Sequence, residues 1–229
     1  MKKTTFAALA LTAGVLLSSN TSFAADIEAA PYDWTGFYAG LTAGYGFGHS
    51  DYRLVGAGLD NDKYNINGFL GGGQVGYNFQ INQIVFGPEI SFWGSDVHGR
   101  KTNTVQSPGA IARTNVNWLG MFNGRVGVAQ DRWLGYVTGG YTLSEVDFRY
   151  SLGAQAIADP HKTHNGWNIG AGIEHAWTDN LIFGLEYRYI DLGKERHQGL
   201  NNFAAPVAPR DHHVDANIHT IMLRASWKF

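Results

Sequence analysis

The chain has no cysteine, so no disulfide can brace it, although small exported domains commonly depend on them. It is also poor in charge: Asp, Glu, Lys and Arg make up 16% of 229 residues, where soluble domains carry about a quarter. No basic block interrupts it, which sets nucleic acid aside as a partner. After residue 17 no apolar run reaches the length that a membrane-spanning helix needs. What the chain has in quantity is glycine, 30 residues, and aromatics, at 14%. That combination, without a spanning helix, points to strands.

The first residues read "MKKTTFAALALTAGVLLSSNTSFAAD". Lys2 and Lys3 precede an apolar stretch from Phe6 to Leu17, and Ser22-Phe23-Ala24 supplies a small-x-small cleavage site. This is the layout of a secretory signal peptide over residues 1–24. Its removal leaves 15 basic against 19 acidic residues, a net charge of −4. Residues 25–33, "ADIEAAPYD", read as a short polar periplasmic lead-in, and residues 34–229 as the folded domain.

Period-two alternation picks out eight segments. Phe37, Ala39, Leu41, Ala43, Tyr45 and Phe47 share one face of the first. In the second, Phe69, Val75, Tyr77 and Phe79 oppose Gln74 and Asn78; in the third, Ile84, Phe86, Pro88, Ile90 and Phe92 oppose Glu89 and Ser91. The fourth sets Val116, Trp118, Phe122, Val126 and Val128 against Asn117, Asn123 and Arg125. The fifth, from Trp133, leaves both faces open. The sixth sets Trp167, Ile169, Ala171 and Ile173 against Asn168 and Glu174. The seventh sets Leu181, Phe183, Leu185, Tyr187 and Tyr189 against Glu186 and Arg188. The eighth sets Ile221, Leu223, Ala225, Trp227 and Phe229 against Thr220, Arg224, Ser226 and Lys228.

Tight turns at 80–83, 130–132 and 178–180 alternate with long polar connections at 51–66, 98–113, 147–163 and 193–213. Aromatics gather near both ends of nearly every segment. The pattern predicts an all-β fold: an eight-stranded antiparallel transmembrane β-barrel with short periplasmic turns, four long extracellular loops and two aromatic belts. Its place is the bacterial outer membrane, in contact with outer-membrane lipid. The stretch "GFLGGGQVGYNFQ" (68–80) holds five glycines. Closure pairs every backbone group and tolerates them. Gly72 and Gly76 then make room inside a narrow lumen, while Gly71 and Gly73 ease curvature or receive aromatics. No P-loop Lys-Ser/Thr and no helix follows, so this is not a phosphate loop.

That stretch, with "WTGFYAGLTAGYGFG", "YRYIDLG" and the terminal "LRASWKF", resembles the small outer-membrane β-barrel proteins of alphaproteobacteria. The group comprises RopB-type and Brucella or Bartonella immunogenic and hemin-binding surface proteins. The resemblance spans almost all of the mature chain. It implies an integral surface barrel with no shared reaction, and reads Phe229 as the signal recognised by the barrel-assembly machinery.

Three constellations could carry chemistry. Strand parity sends Glu89, Glu174 and Glu186 inward with Arg125, Arg188 and Arg224, and places Lys228 near the exit. Such charges in a narrow lumen must pair, so they form a plug or, as the contrasting reading, a gate in a small-solute channel. Histidines at 161, 164, 212 and 213 fall in the expected loops and are candidate hemin or metal ligands. Ser50, Ser95, Ser144 and Ser151 accompany loop histidines without a motif joining them, so catalysis is not expected. The reading is a surface barrel that supports the envelope and meets host or environment without turnover. Hemin binding is its runner-up.

Overall fold

The computed structural model describes residues 31–54, 62–104, 107–152, 155–197 and 212–229. The predicted signal peptide and most of the lead-in lie outside these residues. Eight antiparallel strands follow in chain order: β1 Gly36–Leu54, β2 Asp62–Ile81, β3 Ile84–Thr104, β4 Ser107–Gln130, β5 Trp133–Leu152, β6 Gln155–Ala176, β7 Leu181–His197 and β8 His212–Lys228. Each pairs with the next and β8 pairs with β1, which closes the barrel.

Register fixes its width. The cross-strand partners of Tyr38 run through Gly76, Glu89, Asn123, Gly140, Asn168, Ile190 and Ile218, and return to β1 at Gly48, ten residues further on. Eight strands with that stagger enclose a space that side chains can fill. The β2–β3 and β4–β5 turns begin at Asn82 and Asp131, with φ of 56° and 51°, a left-handed conformation open to Asn and Asp.

The face assignments hold along most of the barrel. Leu41, Phe69, Ile90, Phe122, Ile169, Leu185 and Leu223 point outward into the lipid zone, and Gln74, Glu89, Arg125, Glu174, Glu186 and Arg224 point inward. In β5, Leu134, Tyr136 and Thr138 turn out to face in, while Trp133, Val137 and Tyr141 face out. Val116 is a correction: it is buried, because a register shift between Val116 and Trp118 inserts an extra residue and inverts parity above it. Gly76 gives room as expected, but no aromatic lies within contact of a side chain placed at Gly71 or Gly73.

The long connections also differ from the reading. Their described parts are strand, with pairing that reaches Thr104↔Ser107 in β3–β4, Leu152↔Gln155 in β5–β6 and His197↔His212 in β7–β8. The β2–β3 ladder, however, ends at Asn67↔His98, and the β6–β7 ladder at Trp167↔Asp191. Beyond those points no ladder pair joins β2 to β3 or β6 to β7 among the described residues, although Gly99 still lies against Asn65 and Gly193 against Asn165. Pro160 falls in the β5–β6 register shift between Asp159 and Lys162, where it has no ladder partner and its missing N–H costs no pairing bond.

Candidate functional site: the barrel interior

The interior is layered. Next to the turns lies an apolar cluster of Tyr32, Trp34, Val85, Ala129, Leu134, Tyr136, Ala176 and Ile182. Toward the long connections lies a larger one that includes Leu70, Trp93, Leu119, Met121, Ile190, Ile218 and Met222. Between them sits the charge network.

Glu89 is its hub. Arg224 Nη2 donates to Glu89 Oε2 at 2.5 Å and Nη1 to Oε1 at 3.2 Å, while Tyr38 Oη donates to Oε2 at 2.8 Å. Arg125 and Arg188 approach the same carboxylate at 3.7 and 3.6 Å. Arg125 forks onto Glu174 at 2.6 and 3.3 Å. Glu186 accepts from Arg188 Nε at 2.9 Å, Arg224 Nη1 at 2.8 Å and Tyr136 Oη at 2.7 Å, and forms a close ion pair with Arg188 Nη2 at 2.7 Å. All six charged residues are at most 4% exposed. Three carboxylates against three guanidiniums leave no net charge, the condition under which such burial is tolerated.

The arrangement repeats. Tyr38, Gly76 and Glu89 are successive partners on β1–β3, and Tyr136, Gly172 and Glu186 are successive partners on β5–β7. A side chain at Gly76 would stand 2.5 Å from Tyr38 Cζ, and one at Gly172 2.6 Å from Tyr136 Cζ. Each glycine is therefore the recess for a tyrosine that orients a glutamate. Arg125 on β4 and Arg224 on β8 complete the two halves. The guanidiniums also lie on aromatic faces, Arg125 4.2 Å from the Tyr136 centroid and Arg188 5.2 Å from Trp93.

Six of the seven residues expected in the lumen network therefore meet. Lys228 does not. It lies at the turn end, where Nζ donates to Asp33 O and sits 4.4 Å from the Tyr32 ring centroid. Parity gave its face but not its depth. Tyr38 and Tyr136 were missed, although an inward tyrosine opposite an inward glycine was a usable signal. Also missed was the segment Pro31–Thr35, where the polar lead-in was expected to end.

That segment closes the turn end. Trp34 is fully buried; its backbone N–H donates to Gln80 Oε1 at 2.7 Å and its Nε1 to Asp131 O at 3.1 Å. Tyr32 packs edge-on against it at 5.1 Å and donates to Asp179 O at 3.0 Å. Arg132 and Lys228 both lie against the Tyr32 ring. Burial pushes the Tyr32 phenol up to about 12. The contribution of this neutral phenol is complete below its ordinary pKa near 10 and is lost as pH rises through about 12.

The histidine candidates fare differently. His164 lies in β6 rather than in a loop, and it is buried facing inward. Its cross-strand partner is Ser144, whose buried Oγ makes no hydrogen bond, so the two form no nucleophile–base contact. The side chains of His161, His212 and His213 lie outside the described residues. Phe229 points outward, its N–H bonding Phe37 O at 2.9 Å where the barrel closes.

On the outer face two belts flank an apolar band. Phe37–Phe229, Phe79–Phe86 and Trp133–His175 form contacts at the turn end, and Tyr45–Phe69, Phe92–Trp118 and Trp167–Tyr189 at the other. A closed barrel with a lipid-facing band, paired aromatic belts and a filled lumen defines an integral outer-membrane protein. The chain belongs to the family described as outer membrane protein beta-barrel domain, which matches residues 9–229. It is 34% identical over 242 residues to a 31 kDa outer-membrane immunogenic protein of Brucella melitensis, a match covering 98% of this chain and 95% of that one. A 25 kDa outer-membrane immunogenic protein of Brucella ovis is 31% identical, covering 81% and 89%. A 22 kDa outer membrane protein of Rhizobium leguminosarum is 35% identical, covering 69% and 64%. In fold the chain is similar to OprG of Pseudomonas aeruginosa, at a TM-score of 0.58 and 13% identity over 85% of this chain and 96% of that one.

Proposed function

We propose that this is a closed, mechanically braced barrel that supports the envelope and presents its long outer connections to host or environment, without turnover. The observation that carries this reading is the filled interior: the charge network is sealed on both sides by apolar side chains. The surface-facing part is supported by relatives called outer-membrane immunogenic proteins. Porin-scale diffusion needs about sixteen strands. The test is conductance in planar bilayers. The refolded barrel should insert without stepwise current, and reproducible single-channel steps would replace this account with the narrow channel.

A second reading is hemin capture at the outer rim. It is favoured by register, which sets the backbones of His197 and His212 opposite one another with His213 adjacent. In a hemin titration of the refolded barrel, saturable binding with a ligated-iron spectrum is the expected result. It should be lost when His161, His197, His212 and His213 are changed to alanine. No shift beyond that of hemin in detergent removes this role.

A further inference from the structure

Above the outer aromatic belt, three arginines stand side by side. Arg100 on β3 is the cross-strand partner of Arg113 on β4, and Arg113 is the partner of Arg149 on β5. All three are exposed on the outward face that Phe92, Trp118 and Tyr141 occupy lower on the same strands, with the β4 bulge inverting parity between Trp118 and Arg113. Directly opposed side chains in a sheet stand about 5 Å apart, so like charges there repel. Here the conflict occurs twice in one row. Among the described residues no acidic side chain pairs with these arginines. Asp147 and Glu145, one and two outward rows below Arg149, accept instead from Asn117 at 3.0 and 3.1 Å.

Position indicates what could. Arg113 lies five residues beyond the belt residue Trp118, and Arg100 eight beyond Phe92. At about 3.3 Å per residue and a tilt near 45°, the row stands roughly 12–19 Å above the belt. The side chains project sideways from the wall at that height, into the saccharide headgroups of the surrounding outer leaflet. Guanidinium forks match phosphate and carboxylate oxygens bidentately. We propose that the Arg100–Arg113–Arg149 row is a binding site for the anionic saccharide headgroup of outer-leaflet glycolipid, whose phosphates relieve the repulsion within the row. The proposal rests on the outer-membrane placement and goes beyond the bracing role of the interior. It can fail while the conductance result stands.

The full chain is refolded into phosphatidylcholine vesicles containing either phosphorylated rough lipopolysaccharide or the same glycolipid after dephosphorylation. Retained glycolipid is measured by native mass spectrometry, and thermal unfolding is followed in parallel. Wild type should retain the phosphorylated form and lose it at high salt. The triple variant R100Q/R113Q/R149Q should retain roughly tenfold less, and the triple lysine variant an intermediate amount. In pure phosphatidylcholine the triple glutamine variant should unfold no earlier than wild type, because removing the charges also removes the repulsion. If the triple variant does not fold, R113Q alone, at the centre of the row, should still show the loss. Equal retention by wild type and variant, or by phosphorylated and dephosphorylated glycolipid, overturns the proposal. So does binding of soluble sucrose octasulfate with no glycolipid retained.

Discussion

Glu89→Gln should destabilise the barrel by about 3–5 kcal/mol, as expected when one partner of a buried ion pair is removed. The substitution keeps shape and volume, so packing is preserved and charge is the variable. Arg224, Arg125 and Arg188, all buried around this carboxylate, would be left with two acids among three guanidiniums. Tyr38 would lose its ionic acceptor. Urea unfolding in vesicles, followed by tryptophan fluorescence, gives the number. Glu186→Gln should lose a similar amount, because Glu186 takes the equivalent place for Tyr136 and Arg224. Combining Glu89→Gln with Arg224→Met should recover part of the loss, since the surplus charge goes with its partner. A loss under about 1 kcal/mol for Glu89→Gln would mean that solvent screens the network as it does a surface pair.

Trp34→Ala should lose about 3–5 kcal/mol, the range for removing a fully buried large aromatic. Trp34 has no exposed surface, although it precedes the first strand. Its indole fills the turn end of the lumen, and its two hydrogen bonds tie the segment to Gln80 and to the β4–β5 turn. Alanine would empty that space and leave Asp131 O without the indole donor. Phenylalanine should restore most of the volume but not the hydrogen bond, and so remain about 1 kcal/mol below wild type. Denaturant unfolding separates these cases. Protease cleavage near residue 31 should become faster in the alanine variant and stay slow in the phenylalanine variant. Unchanged cleavage in both would show that the segment is held by its backbone contacts rather than by the indole.

Within the lipid zone the fold was legible because the solvent there is lipid on one side and packed side chains on the other. Leu41, Ile90 and Leu223 declared one face, and Glu89, Glu174 and Arg224 the other. Legibility failed where that contrast weakens. Above the belt both faces of a strand can be polar, so residues 98–104 and 155–163 read as loops although they are laddered. Inside the upper barrel Trp93, Leu119 and Met222 are apolar and inward, so hydrophobicity no longer marked the lipid side. In β5 the inward Leu134 and Tyr136 balanced the outward Trp133 and Val137, and neither face stood out. Val116 was misplaced because a bulge is a property of pairing, invisible in one strand read alone. The network was readable as a set of inward charges, but its partners were not: which arginine meets which glutamate depends on side-chain reach across the lumen.

Those partnerships bear on how the barrel comes into being. The glutamate at its centre sits on the third strand, and the guanidinium that forks onto it arrives on the eighth, 135 residues later. Arg125 on the fourth strand waits 49 residues for Glu174 on the sixth. A nascent sheet of three strands therefore carries a carboxylate it cannot neutralise, and the fourth brings Arg125 only to 3.7 Å of it, without the fork that Arg224 supplies. The reward is concentrated in the last step, when β8 meets β1. Insertion should behave as a cooperative event with sparsely populated partial barrels, and a chain halted before its final strand should be handed to periplasmic proteases rather than left in the membrane.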